Sequence, residues 1–256
     1  MSLTQKTLAG IAWNFAEQFG RRGLSVLTTL ILAYFLTPKD FGLVAMMTVF
    51  INLASSLMDS GFKQALIRLP EIKPTDFNTA FYSNIILSII SYSLIFFVAP
   101  LISSFYNEPR LTILLRVTSV VVFINAFQLV QFAVLSRELN FKTQFKAAIP
   151  ASIISGAIAI TMAYMGYGVW ALVTQTLISS LLVTVILWYQ DLWRPSLSVS
   201  MQALRSMYRF GYKLFLAGSL DTVFKNMYVI VIAKLFSATL AGLYFFADRI
   251  RDIVIF

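Results

Sequence analysis

The chain has 256 residues, 59% of them hydrophobic and 12% charged, with a net charge of +9 and a mean hydropathy of +0.80. Soluble domains carry nearer a quarter charged residues, so this is the composition of an integral membrane protein. There is no cysteine and no histidine, which excludes thiol and imidazole nucleophiles, Cys/His zinc sites and a disulfide framework.

Seven apolar segments are long enough to cross a bilayer, near residues 9–36, 41–58, 79–105, 112–135, 147–165, 168–190 and 210–236, and an eighth begins at 241. The first contains NFAEQFGRRGLSVLTTLILAYFL, residues 14–36. Leu24 to Leu36 alone would reach about 20 Å into a hydrocarbon core about 30 Å thick. The helix must therefore start before the arginines, and Glu17, Arg21 and Arg22 enter the membrane with it. Turn signals separate the later segments: Thr37-Pro38-Lys39-Asp40, Pro70 to Pro74, Asn107-Glu108-Pro109, Arg137 to Lys142, Gly166 to Gly168 and Arg194-Pro195. The fold class expected is all-α and integral to the membrane. A six-helix lobe would occupy 1–193, a cytoplasmic connection 194–209, and the start of a second lobe 210–256.

Lys and Arg placement gives the orientation. One side collects Lys6, then Lys63, Arg68 and Lys73, then Arg137, Lys142 and Lys146, then Arg194, Arg205, Arg209 and Lys213. The other has only Lys39, Arg110, Arg116 and Lys234. This bias puts the amino terminus in the cytoplasm of a multi-pass protein of the cell membrane. The basic residues are scattered between spans and form no stripe for nucleic acid.

Residues 31–46, ILAYFLTPKDFGLVAM, return at 231–246 as VIAKLFSATLAGLYFF. Ala33 falls on Ala233, Thr37 on Ser237, and Gly42-Leu43 on Gly242-Leu243. The match predicts an internal duplication whose copies run in the same direction, related by an axis along the membrane normal. The first segment then has a counterpart inside the chain and is a structural helix, not a removable signal. A repeat of about 200 residues also implies a parent of roughly 400–500, of which this chain would be a truncated part.

Seven words, LTPKDFGLVAM (36–46), SFYNEPRL (104–111), LSRELNFK (135–142), GYGVWALVTQ (166–175), RPSLSVS with MYRFGYKL (194–214) and AGLYFFADRIRD (241–252), recur in order over nearly the whole chain. The set resembles the polysaccharide-transporter branch of the MATE-like flippases of the MOP superfamily. It is most similar to Wzx-type exporters of lipid-linked oligosaccharide in the colanic-acid and teichuronic-acid group. The resemblance implies a two-lobed bundle with a central cavity and alternating access. It further implies a lipid-linked oligosaccharide as cargo for exopolysaccharide or lipopolysaccharide biosynthesis, and contact with glycan polymerase machinery.

Charge at bilayer depth is costly, so each such residue is a site candidate. Asn14, Glu17, Arg21, Ser25 and Thr28 form one helical stripe with Arg22 beside it, and Glu17 can pair with Arg21. At the repeat offset Asp221 lies opposite Arg21, and Lys225 follows four residues later. Arg249 lies in the eighth segment among Asp248, Arg251 and Asp252. The expectation is that the first and seventh segments line one basic cavity at the lobe interface. Arginine forks would hold the diphosphate of a polyprenyl-linked glycan, with lysine a mobile point charge. Asn125, Gln128 and Gln131 form an uncharged polar line, read first as interhelical hydrogen bonding and second as sugar contact. Arg137, Glu138, Lys142 and Lys146 read as a topology determinant, and the tryptophans and tyrosines near span ends as interface anchors. No catalytic or metal-binding constellation is found, so a flippase is expected and not an enzyme. A MATE-like drug or cation antiporter is the alternative, then a membrane glycan polymerase or glycosyltransferase. Coupling to protons or sodium is left open.

Overall fold

The structure is a computed structural model that describes residues 3–69, 71–190 and 193–254. The regular structure in this range is helical: α1 (Leu3–Phe35), α2 (Pro38–Asp59), α3 (Phe62–Arg68), α4 (Pro74–Tyr106), α5 (Arg110–Thr118), α6 (Val120–Arg137), α7 (Phe141–Tyr164), α8 (Val169–Tyr189), α9 (Met201–Leu235) and α10 (Ala238–Val254).

Local chemistry sets the helix ends. Thr37 opens α2 with a capping box: its Oγ1 accepts the Asp40 amide at 3.3 Å, and Asp40 Oδ2 accepts the Thr37 amide at 3.0 Å. Pro38 at the first position needs no hydrogen-bond acceptor. Lys73-Pro74 opens α4 likewise, with Asp76 Oδ2 taking the Lys73 amide at 2.8 Å. Asn107, at φ +56°, closes that helix in the left-handed region.

Among the described residues six helical spans are long and apolar enough to cross a membrane: α2, α4, α5 with α6 as Arg110–Arg137, α7, α8 and α9. The chain is a multi-pass membrane protein. Helix α1 is not among the six although it has 33 residues, because Glu17, Arg21 and Arg22 interrupt its apolar content. Its depth is set instead by α7, along which it packs parallel. Trp13 meets the Phe145 ring at 5.4 Å, Gly20 faces Ile149, Thr28 faces Gly156, and Phe35 meets Tyr164 at 6.1 Å. Ile149 lies about two turns past the start of α7 at Phe141, and α7 is one of the six spans, so Arg21 and Arg22 lie about two turns inside it and not at a free end.

The duplication is visible as a helix crossing. The space that a Cβ on Gly42 would need is filled by the Ala238 carbonyl, and the same space at Gly242 by the Pro38 carbonyl. Both contacts obey the offset between the copies, so the crossing maps onto itself. Phe41 meets Phe246 at 5.9 Å, and Ala45 and Val49 cluster with Tyr244 and Phe245, so α2 and α10 run in the same direction. Ser237 Oγ accepts the Leu240 amide at 3.2 Å, repeating the Thr37 cap at the same end of the bundle. Glycine at both centres lets the backbones touch, which supplies dispersion contacts where lipid gives helices no hydrophobic drive to associate.

The connection between the lobes departs from an expected linker over 194–209. Ser200 Oγ accepts the Ala203 amide at 3.3 Å, so α9 is already helical from Met201. Ahead of it the chain is stitched to α4 and α6. Asn78 Nδ2 donates to Ser196 and Ser198 Oγ, both at 2.7 Å, and its Oδ1 accepts the Ser196 amide at 3.1 Å. Thr79 Oγ1 accepts the Ser200 amide at 3.0 Å, and Gln131 Nε2 donates to the Trp193 carbonyl at 2.9 Å. Helix α9 then runs beside α2, α4 and α10 and leaves most of its surface exposed.

Candidate functional site

Helix contacts close a ring: α1 on α7, α7 on α8, α8 on α6, α6 on α2, α2 on α10, and α10 on α1. The ring surrounds a cavity of about 610 Å³. Each helix contributes one face at helical spacing. From α8 these are Leu172, Gln175, Thr176, Ser179, Ser180 and Val183; from α6, Val121, Asn125, Gln128 and Phe132. Pro150 interrupts α7 where Ala148, Ser152 and Ser155 face the space.

Three guanidinium groups enter this space. Arg21 and Arg22 come from α1, and Arg249 comes from α10, where its Nη1 donates to Ser25 Oγ on α1 at 3.1 Å. Arg249 also lies over the Phe245 ring at 5.0 Å, a cation–π contact that fixes its direction. No aspartate or glutamate is among the lining residues, so the described cavity is strongly basic. Glu17 stands one turn from Arg21 at 3.4 Å, while the Arg21 side chain is 59% exposed. A pair that long and that open contributes little stability, which leaves the Arg21 fork available to a ligand. Neighbouring hydroxyls are already committed: Thr29 Oγ1 donates to the Ser25 carbonyl at 2.7 Å, and Thr176 Oγ1 to that of Leu172 at 3.0 Å.

The repeat shows how specific this composition is. At the contact between α9 and α2, Val229 and Val49 are both buried in an apolar cluster. The positions related to them by the offset are Thr29 and Arg249, at the contact between α1 and α10. One geometry is thus filled by valines in one copy and opened by a threonine and an arginine in the other.

The residues singled out from sequence are divided by the fold. Arg21, Arg22 and Arg249 line the cavity. Glu17 joins it only through Arg21, and Asn14 accepts from Gln18 Nε2 at 2.7 Å one turn earlier on α1. Asp221 and Lys225 do not line it: they pair with each other at 2.7 Å on an exposed face of α9. The physical reason is the packing of α9, whose inner face is used against α2, α4 and α10. Asp248 pairs with Arg251 at 2.6 Å, and the side chain of Asp252 lies outside the described residues. Sequence reasoning missed Gln175, Ser179 and Ser180, for which the signal was a four-residue polar periodicity in an otherwise apolar span. It also missed Arg137, whose Nη1 donates to the carbonyls of Leu66, Ile67 and Leu69 at 2.8, 3.1 and 2.7 Å, so that a residue read as a topology charge caps α3.

Residues 31–255 match the sequence profile described as polysaccharide biosynthesis protein. The chain belongs to that family. It is 23% identical over 243 residues to the succinoglycan biosynthesis transport protein ExoT of Rhizobium meliloti, covering 95% of this chain and 49% of the relative. It is 26% identical over 251 residues to the lipopolysaccharide biosynthesis protein WzxC of Escherichia coli, covering 95% and 50%. It is 23% identical over 255 residues to the teichuronic acid biosynthesis protein TuaB of Bacillus subtilis, covering 98% and 53%. The chain spans about half the length of these relatives. Among solved structures it is similar, at 19% identity and a TM-score of 0.48, to an inward-facing multidrug resistance MATE family transporter of the MOP superfamily, covering 100% of this chain and 59% of that one.

Proposed function

We propose that this member of the polysaccharide biosynthesis family moves a polyprenyl-diphosphate-linked oligosaccharide from the cytoplasmic to the outer leaflet by alternating access. The supporting observation is the convergence of Arg21, Arg22 and Arg249 on one cavity inside an apolar bundle, with no acidic residue among the lining. Three cations converging at bilayer depth are expensive, and an anionic headgroup entering the cavity offsets that cost. The guanidinium forks match phosphate oxygens in two-point geometry. No bond is made or broken: the site shelters a charged headgroup while its lipid tail stays in the bilayer. The names of ExoT, WzxC and TuaB place those proteins in polysaccharide synthesis or transport and support the same cargo class here. The distribution of lysine and arginine supports a cell-membrane protein with a cytoplasmic amino terminus. A drug or cation antiporter is disfavoured, because the cavity would repel a cation.

The test is complementation of glycan export in a strain deleted for the gene. Arg21→Ala and Arg249→Ala should each cut export at least tenfold at unchanged membrane level, and Arg21→Lys should recover only part, having lost the fork. Wild-type export from the double alanine variant would remove the cavity from the transport path. Wild-type export from Glu17→Gln with Arg21→Gln would show instead that the pair is structural.

A further inference from the structure

The ring of helices gives the cavity two unlike walls. Arg21, Arg22 and Arg249 stand on α1 and α10; across the space, α6 and α8 present Asn125, Gln128, Gln175, Ser179 and Ser180. We propose that this second wall is a carbohydrate subsite, holding the sugar next to the diphosphate while the arginines hold the diphosphate itself. The inference rests on the transport reading above and assigns a separate part of the cavity.

The hydrogen bonding of the wall carries it. Asn125 Oδ1 accepts from Gln128 Nε2 at 2.5 Å and from Ser180 Oγ, so one acceptor is saturated from two sides. That fixes the amide plane and leaves the Asn125 NH2 to donate elsewhere. The same bond ties Gln128 into the chain through its Nε2, while Thr184, whose hydroxyl donates to the Ser180 carbonyl at 2.8 Å, lies 3.5 Å from Gln128 Oε1. Preorganised amides are costly in a membrane interior unless something polar answers them. Gln131, three residues after Gln128, shows the alternative fate: it is 1% exposed and donates to the Trp193 carbonyl as interhelical glue. Asn125 and Gln128 are partly exposed and line the cavity instead. Gln175 and Ser179 extend their surface by one turn of α8, and Phe132 borders it. Amides and hydroxyls that both donate and accept match sugar hydroxyls, which do the same. A wall meant for phosphate would need cations, and a wall meant for a cation would need carboxylates; this one has neither.

The test measures binding to the chain in lipid nanodiscs of two kinds of probe: undecaprenyl diphosphate, and the same lipid carrying one glucose or one galactose. With the wild type, at least one glycosylated probe should bind tenfold or more tightly than the bare diphosphate. Gln175→Met, which keeps the volume, and Ser179→Ala should each reduce that ratio, and together bring it within twofold of one. Arg249→Ala should weaken all probes alike and keep the ratio. A wild-type ratio near one, or a ratio untouched in the Gln175→Met/Ser179→Ala variant, would overturn the subsite alone. Binding of no probe by the wild type would overturn the transport reading and the subsite with it.

Discussion

Replacing Gly42 by alanine tests the crossing that joins the two copies of the repeat. The added methyl would land on the Ala238 carbonyl, with the carbonyl carbon 2.7 Å away and the Gly242 amide nitrogen 3.1 Å away. The Ala238 carbonyl oxygen is nearer still, at 1.8 Å, and carbon–oxygen contacts begin at about 3.3 Å, so α2 and α10 must part by about 1.5 Å. Neither neighbour can turn aside, because both are backbone atoms of a helix. Overpacking of this kind costs about 1–3 kcal/mol. Gly23 is the control: nothing lies within 4 Å of its would-be Cβ, and alanine in an open helix interior gains about 0.5–1 kcal/mol over glycine. Tryptophan-fluorescence melting in detergent should therefore place Gly42→Ala below the wild type, at on the order of 2–4 °C per kcal/mol. Gly23→Ala should melt at or above the wild type. A Gly42→Ala protein as stable as the wild type, or a Gly23→Ala protein that falls as far, would refute the crossing. The same separation would draw Arg249 away from Ser25, so the substitution should also impair export.

Two further outcomes follow from the connection and the topology. Asn78→Ala removes three hydrogen bonds to Ser196 and Ser198, each worth about 0.5–1.5 kcal/mol, so chymotrypsin should cut at the exposed Leu197 at least fivefold faster; an unchanged rate would mean that Asn78 does not hold the segment. For the orientation, Arg110→Cys should react with an impermeant maleimide in intact cells and Leu197→Cys should not, in a chain with no cysteine of its own; the reverse pattern would invert the protein.

Much of the fold was legible because helix-forming physics in a membrane is local. An apolar run of sufficient length, bounded by Thr37-Pro38 or Lys73-Pro74, gives a helix whatever surrounds it. The start of α9 was less legible: Arg205, Arg209 and Lys213 make 201–209 look like a soluble connection, whereas the Ser200 cap makes it the first turns of a long helix. The duplication could be read at Gly42 and Gly242 because a crossing without side chains tolerates few other residues. The site was legible only in part. Spacing of three and four put Glu17 and Arg21 on one face of α1 with Arg22 beside it, but it put Asp221 and Lys225 on one face of α9 by the same logic.

By itself, then, the sequence determined the membrane class, the order of the long helices, the repeated pattern at an offset of 200 and the faces on which charge sits. Each of these depends on residues within a few turns of one another. Tertiary structure decided which faces meet. Arg249 reaches Ser25 across 224 residues, Gln131 is buried on Trp193 while Gln128 faces the cavity, and the α9 pair is turned away from it. Helical periodicity specifies a direction around one axis, and the azimuth of each helix relative to its neighbours is settled only when all of them pack at once.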